Sequence, residues 1–500
     1  MSQTERPNFV FIMTDQQRRD SLGCYGNRLI QTPSCDALAA QGIVFDRAFP
    51  TNIICSPSRA SVITGRYPRS HGLITNGMYL DPGNETTLPH VLSSHGYLTA
   101  NVGKIHLTFF EKIESERTTN EANYQSPESR THWLAGKRLP MPYYGFQEVR
   151  LCNGHGEDWT DYYYDLLARD PKLPELFKEE NALQQPSGAP SSWKSSLPEE
   201  HHSTTWVADE SIKILKRYAT DDQPFFLTIN FPDPHFPYCP PAPWCDMYDP
   251  ADMPMPKRTM DQLKTASDNF RRNNQSYTNI FGYNPIEMPE PYVREIIAHT
   301  YGMVSLLDKH IGRVMAELDH LGLQDNTVVI FTTDHGEHLG DHGFIYKAVI
   351  YDELLHLPLI WNCPKRFGMP RRESGIVSHI DLMPTILDLA SIAAPRGVQG
   401  VSYRAGLEGD NFSGRPFAYL EDDSEDNLEH TRTVWTPDQR LTYYLPDAEG
   451  DLFDLKNDPN EFVNRWQDPN YGDMRNEMVE LLLRAAIEAA DPKAERLASS

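Results

Sequence analysis

Positive charge is scarce in this chain: 46 Lys and Arg stand against 70 Asp and Glu, for a net charge of −24. A field of that sign repels polyanions and argues against a nucleic-acid binder. Any anionic ligand then needs a local exception, a metal and a few Lys or Arg converging in one pocket. Long apolar runs are also lacking. No stretch approaches the roughly 18 apolar residues that suggest a membrane span, and Met1–Pro7 has no basic or apolar leader region. The expected setting is therefore cytoplasmic, with no membrane partner. Cysteine is sparse: Cys24, Cys35, Cys55, Cys152, Cys239, Cys245 and Cys363 form no Cys-x-x-Cys pair and no zinc-ligand spacing. This reads as free buried thiols, and the odd count leaves room for one cysteine with special chemistry.

What is present is an α/β pattern. With 500 residues, 39% of them hydrophobic, the chain can bury a large core. Short apolar runs alternate with helical patterns, which predicts a mainly parallel sheet covered by helices. The clearest strands are Phe9–Met13, Phe225–Asn230 and Val328–Thr332. Each runs into polar residues: Thr14-Asp15-Gln16, Pro232-Asp233-Pro234-His235, and Thr333-Asp334-His335. Ligands of open α/β sheets sit outside the carboxyl ends of the strands, so these three ends point to one shared site.

A core-packing helix is predicted over Val293–Leu318, with Gly322 as a stop signal. Residues 1–400 are read as a catalytic domain with aperiodic insertions at about 108–205 and 239–290, which shape a pocket or an interface. In the first of these, His155, Trp159, Tyr162, Tyr163 and Tyr164 are candidates for stacking on a substrate ring, or for packing. Residues 401–500 read as a smaller α+β domain with short strands Phe417–Leu420 and Arg440–Leu445 and a terminal amphipathic helix, Met474–Ala490.

The stretch Cys55-Ser56-Pro57-Ser58-Arg59, followed by Thr64-Gly65-Arg66, resembles the signature of the sulfatase family, in which the cysteine is oxidised to formylglycine. Other landmarks follow in the family's order: Asp15-Gln16, Thr32-Pro33, Gly103-Lys104-Ile105-His106, Pro234-His235, Thr333-Asp334-His335-Gly336-Glu337, Leu339-Gly340-Asp341-His342-Gly343 and Leu452-Phe453-Asp454-Leu455. The resemblance covers nearly the whole chain and implies an alkaline-phosphatase-like α/β fold with a smaller C-terminal domain. It implies hydrolysis of a small sulfate ester, and a formylglycine-generating enzyme as maturation partner. A homo-oligomer is left open.

The resemblance also assigns roles. Asp15, Gln16, Asp334 and His335 correspond to metal ligands, completed by the modified Cys55. Two carboxylates and an amide suit Ca2+, whereas His335, where many members carry Asn, suits Mn2+. Arg59 holds the aldehyde hydrate, Lys104 and Lys347 bind sulfate oxygens, His106 takes a proton from the second hydroxyl, and His235 protonates the leaving oxygen. Asn76 is a candidate substrate-binding amide. Lys104 and His106, two apart, are expected on one side of an extended segment. A sulfate ester shields its sulfur with anionic oxygens, so such a site needs charge neutralisation, a strong nucleophile and a proton donor. The rival reading is a phosphonate or phosphate monoester hydrolase of the same superfamily. Gln16 and His335 lean that way, and the Lys104-x-His106 pair leans against it.

Overall fold

The computed structural model describes residues 6–110, 126–154, 160–423, 429–445 and 447–490. Eight strands form the central sheet: β1 (Asn8–Thr14), β2 (Ile43–Phe49), β3 (Leu98–Gly103), β4 (Glu148–Leu151), β5 (Phe225–Asn230), β6 (Thr327–Thr333), β7 (Leu357–Asn362) and β8 (Arg371–Ser378). Their order is β4-β3-β5-β1-β6-β7-β2-β8. All neighbours run parallel except β7, which is antiparallel to both β6 and β2.

The unbroken apolar run of β1 is explained by burial on both faces, as parallel sheets require. Val10 and Ile12 pack into one core with Leu227, Ile229 and the long helix Glu290–His320. Phe9, Phe11 and Met13 pack into the opposite core with Phe226, Val328 and Ile330, covered by Cys55–Thr64 and Leu382–Leu389. Each of these side chains is essentially inaccessible, a stabilisation of about 1.5–3 kcal/mol apiece relative to water.

The first insertion is not outside the sheet. It supplies the edge strand β4, paired with β3 through Ala100 to Gly103, and the helix Asp161–Arg169. The second holds the 14-residue helix Asp268–Phe281. Within the first, Tyr162 is buried against Trp206, and the Tyr164 ring stacks on Trp133 while its hydroxyl donates to the Trp133 carbonyl. These two tyrosines are therefore packing residues. His155 and Trp159 lie outside the described residues.

Four further strands, β9 (Ala418–Asp423), β10 (His430–Trp435), β11 (Gln439–Leu445) and β12 (Glu449–Asp454), form an antiparallel meander. The terminal helix Gly472–Glu488 covers one face through Met478, Leu482 and Ala485 on Val434, Leu441 and Leu452. The other face places Leu420 and Trp435 against Phe49, Ile53 and Leu354 of the catalytic part. β10 and β12 lack an apolar alternation because several of their buried positions are polar and paired in place. Thr433 bonds Thr442 at 2.9 Å, and the Tyr444 hydroxyl donates to Asp451 at 2.7 Å.

Candidate active site and metal centre

β3, β5, β1 and β6 are consecutive and parallel, so their carboxyl ends open onto one face. Lys104 follows β3, His235 lies beyond β5, Asp15 and Gln16 follow β1, and Asp334 and His335 follow β6. β2, two antiparallel steps from β6, points the same way. It leads to the helix Cys55–Thr64, whose first residue is Cys55.

These side chains converge. The Cys55 Sγ lies 3.0 Å from Lys347 Nζ, 3.1 Å from His335 Nε2 and 3.6 Å from Asp15 Oδ1. Ligand atoms of Asp15, Cys55, Asp334 and His335 all lie within 4.8 Å of one another, and all four residues are buried. Lys104 pairs with Asp15 Oδ2. Asp334 Oδ1 accepts the Gln16 and His335 backbone N–H groups at 3.0 and 2.9 Å, while its Oδ2 accepts Arg59 Nε at 2.8 Å. His335 Nδ1 lies 2.9 Å from the Gly336 carbonyl, a bond that takes the Nδ1 proton and leaves the Nε2 lone pair facing the other donors.

Electrostatics follow from this crowding. Burial opposes ionisation of Cys55, but the Lys104 and Lys347 ammonium groups outweigh it and hold the thiol well below its ordinary range. Burial and Cys55 push Asp15 upward, yet Lys104, His235 and Arg59 keep it below the usual carboxylate range. Burial drives Asp334 upward, against Arg59 and with Asp15. Burial alone is the main reason that His106 falls to about 4 and that His235 is lowered. Two buried carboxylates, an amide oxygen and an imidazole nitrogen in one recess are a donor set that fits a divalent cation.

The expectation that Lys104 and His106 share one side of an extended segment needs correction. β3 ends at Gly103 (φ 95°), and His106 is left-handed (φ 54°), so a turn brings both toward Cys55. Gly103 is required there, because a Cβ would stand 1.9 Å from the Asn230 carbonyl oxygen. Glu128 pins this turn by accepting the His106 and Leu107 N–H groups at 2.9 and 3.1 Å. No motif in its insertion marked it. His106 stacks on Phe110 at 3.9 Å between centroids.

Arg59 donates to Asp334 and to the Lys104 carbonyl, and Asp15 is 3.7 Å away. It neutralises the two carboxylates of the recess. Asn76 Oδ1 accepts the Ser56 N–H at 3.3 Å, one of the unpaired donors at the start of the Cys55 helix, so it supports that turn. Glu337, quoted within a motif but given no role, holds Gln16: its Oε2 accepts Gln16 Nε2, which leaves Gln16 Oε1 3.3 Å from Lys347 Nζ.

A mainly parallel sheet flanked by helices, with a smaller antiparallel sheet after it, is the alkaline-phosphatase-like architecture. The family model "Sulfatase" matches residues 7–392, and the chain belongs to the sulfatase family. A second model, "N-sulphoglucosamine sulphohydrolase, C-terminal", matches residues 340–488. The chain is 26% identical over 484 residues to an arylsulfatase of Clostridium perfringens, covering 96% of this chain and 94% of that one. It is 29% identical to the uncharacterised sulfatase YidJ of Escherichia coli, with 98% and 88% coverage. Among solved structures, the phosphonate monoester hydrolase of Silicibacter pomeroyi superposes with a TM-score of 0.81 at 25% identity, covering 97% and 96%.

Proposed function

We propose that this chain hydrolyses a sulfate monoester to an alcohol and inorganic sulfate after Cys55 has been converted to formylglycine. The observation that carries this reading is the convergence of Lys347, His335 and Asp15 on the buried Cys55 side chain. Asp15, Gln16, Asp334, His335 and residue 55 would hold one divalent cation, Ca2+ by its oxygen donors, with Mn2+ admitted by the imidazole. That cation supplies positive charge at the ester oxygens, and the aldehyde hydrate supplies two hydroxyls on one carbon, one for transfer and one for release of sulfate.

The chain's own groups divide the remaining work. Lys104 and Lys347 flank residue 55 and stabilise the charge on the non-bridging oxygens. His235 delivers a proton to the departing ester oxygen as the S–O bond breaks, and His106 accepts a proton from the second hydroxyl. Arg59 keeps the two ligand carboxylates together in the absence of solvent. Asn76 supports the helix start that presents residue 55.

Peptide mass spectrometry of the segment containing Cys55 tests the proposal. Active protein should show loss of sulfur and gain of an aldehyde, with activity proportional to the converted fraction. Fully active protein carrying only cysteine would overturn it. A phosphonate monoester hydrolase is the second reading, favoured by Gln16 and His335 and by the likeness to the Silicibacter enzyme. A panel of aryl, alkyl, choline and sugar sulfates beside phenyl phosphonate esters separates the two by kcat/KM.

A further inference from the structure

Behind the loop that follows β6 lies a second cluster that the hydrolytic mechanism does not use. His342 occupies the turn Asp341–Gly343 in a left-handed conformation (φ 56°) and is 1% exposed. Its ring is stacked on Tyr351 at 3.7 Å, with Phe462 edge-on at 5.7 Å. Gln262 sets its protonation: the amide Nε2 donates to the His342 carbonyl at 3.0 Å, so the amide Oε1 is left facing His342 Nδ1 at 3.2 Å and takes its proton. The Nε2 lone pair is then an acceptor. It has no hydrogen-bond partner among the described residues, and it faces Glu353 Oε2, which likewise has none among them, at 3.7 Å.

Glu461, 1% exposed, completes the group from the segment after β12. Its Oε1 accepts Arg440 Nε and its Oε2 accepts the Asp352 N–H at 2.9 Å. Ligand atoms of His342, Glu353 and Glu461 lie within 4.8 Å of one another. The neighbouring arginines are engaged elsewhere: Arg18 pairs with Asp20 and Asp341, and Arg440 pairs with Glu461. Glu353 has no ion-pair partner among the described lysines and arginines. A buried carboxylate oxygen and a buried imidazole lone pair, both unpartnered and facing each other, leave a gap that a cation fills.

We propose that His342, Glu353 and Glu461 form a second metal site, structural in role, that takes a divalent ion of the zinc class. One imidazole nitrogen, with its other nitrogen anchored by an amide, and two carboxylates are a donor set for zinc; calcium draws on a larger number of oxygens. The ion would tie the C-terminal segment to the support of the catalytic loop. Glu353 lies in the short helix Asp352–Leu355, whose Leu354 carbonyl accepts the Gly336 N–H at 3.1 Å. That helix presses so closely that a Cβ on Gly336 would stand 1.9 Å from the Glu353 carbonyl oxygen. Gly336 directly follows His335, so order in the second site is transmitted to the first through one peptide.

The test uses full-length protein whose catalytic recess is disabled for zinc by Cys55→Ala with His335→Ala, stripped with chelator and titrated with ZnCl2. One zinc per chain should bind, with a rise in Tm. Adding Glu353→Gln should weaken zinc binding by more than the ~10–100-fold that loss of an outer partner costs. His342→Gln, which removes the imidazole by a different route, should do the same and serves if the first variant fails to fold. Equal zinc affinity in the presence and absence of these substitutions would overturn the site. So would a zinc-soaked crystal with no anomalous signal between His342 and Glu353. Neither result bears on whether the enzyme cleaves sulfate esters, which is read from Cys55 conversion and the ester panel.

Discussion

Glu337→Gln isolates how the metal recess is held together, because it changes one atom outside the ligand set. Glu337 is 2% exposed, and burial raises its pKa to about 7. Its Oε1 accepts the Leu339 N–H at 3.1 Å and the Tyr346 N–H, and its Oε2 accepts Gln16 Nε2. In the variant the two backbone donors still claim the single remaining oxygen, so the new NH2 group faces the Gln16 NH2. Gln16 relieves that conflict by turning its amide over. The oxygen now facing Lys347 is then replaced by a donor pointing at a cation. Outer-partner losses of this type cost ~10–100-fold in metal affinity, or about 1.4–2.8 kcal/mol. The assay is calorimetric titration of metal-free protein with Ca2+ and with Mn2+, with kcat measured at saturating metal. The expected result is weaker binding with most of kcat recovered at saturation. Affinities within twofold of the parent would refute the orienting role of Glu337 and the assignment of Gln16 as an oxygen ligand.

Arg59→Met leaves Asp15 and Asp334 buried without their guanidinium, so metal-free protein should lose ~3–5 kcal/mol in urea unfolding, partly restored by divalent cation; a change below about 1 kcal/mol would contradict the neutralising role. His235→Ala should slow an unactivated alkyl sulfate by ~10²–10⁴-fold and nitrophenyl sulfate far less, since phenolate leaves without help; an equal factor for both makes His235 a positioning group. Stability should also fall in mild acid. Burial, with Lys194 adding to it at His299 and Arg313 at His310, lowers these two histidines to about 4 and about 3. Below pH 6.5 the unfolded chain takes up protons that the folded chain refuses, so each site costs up to about 1.4 kcal/mol per pH unit until its folded pKa is reached. Thermal melts should drop between pH 7 and 5.5, and His310→Gln should flatten the drop; an unchanged Tm across that range would exclude it.

Much of the site was legible because its chemistry sits at strand ends. Asp15, Gln16, Asp334, His335 and His235 each follow an apolar run that could be read directly, and Cys55 with Arg59 lies in a spaced motif. What stayed hidden has physical causes. Glu128 and Glu337 act through hydrogen bonds to backbone and amide groups, and a lone buried glutamate has no periodicity to reveal it. β10 and β12 were missed because several of their buried residues are threonine, aspartate and glycine. β4 was missed because four residues at a sheet edge carry too short a pattern.

The sequence by itself determined the α/β class and the carboxyl-edge location of the candidate site, and its resemblance to the sulfatase signature singled out Cys55, since alternation, strand length and motif spacing are local properties of the chain. Only the tertiary structure decided what those groups touch. It turned Lys104 and His106 inward through a left-handed bend, and it directed Arg59 to the carboxylates of Asp334 and Asp15. It also brought His342, Glu353 and Glu461 together from separate segments of the chain. Those outcomes depend on parallel strands aligning their ends and on burial removing water, and neither condition exists until the sheet has closed.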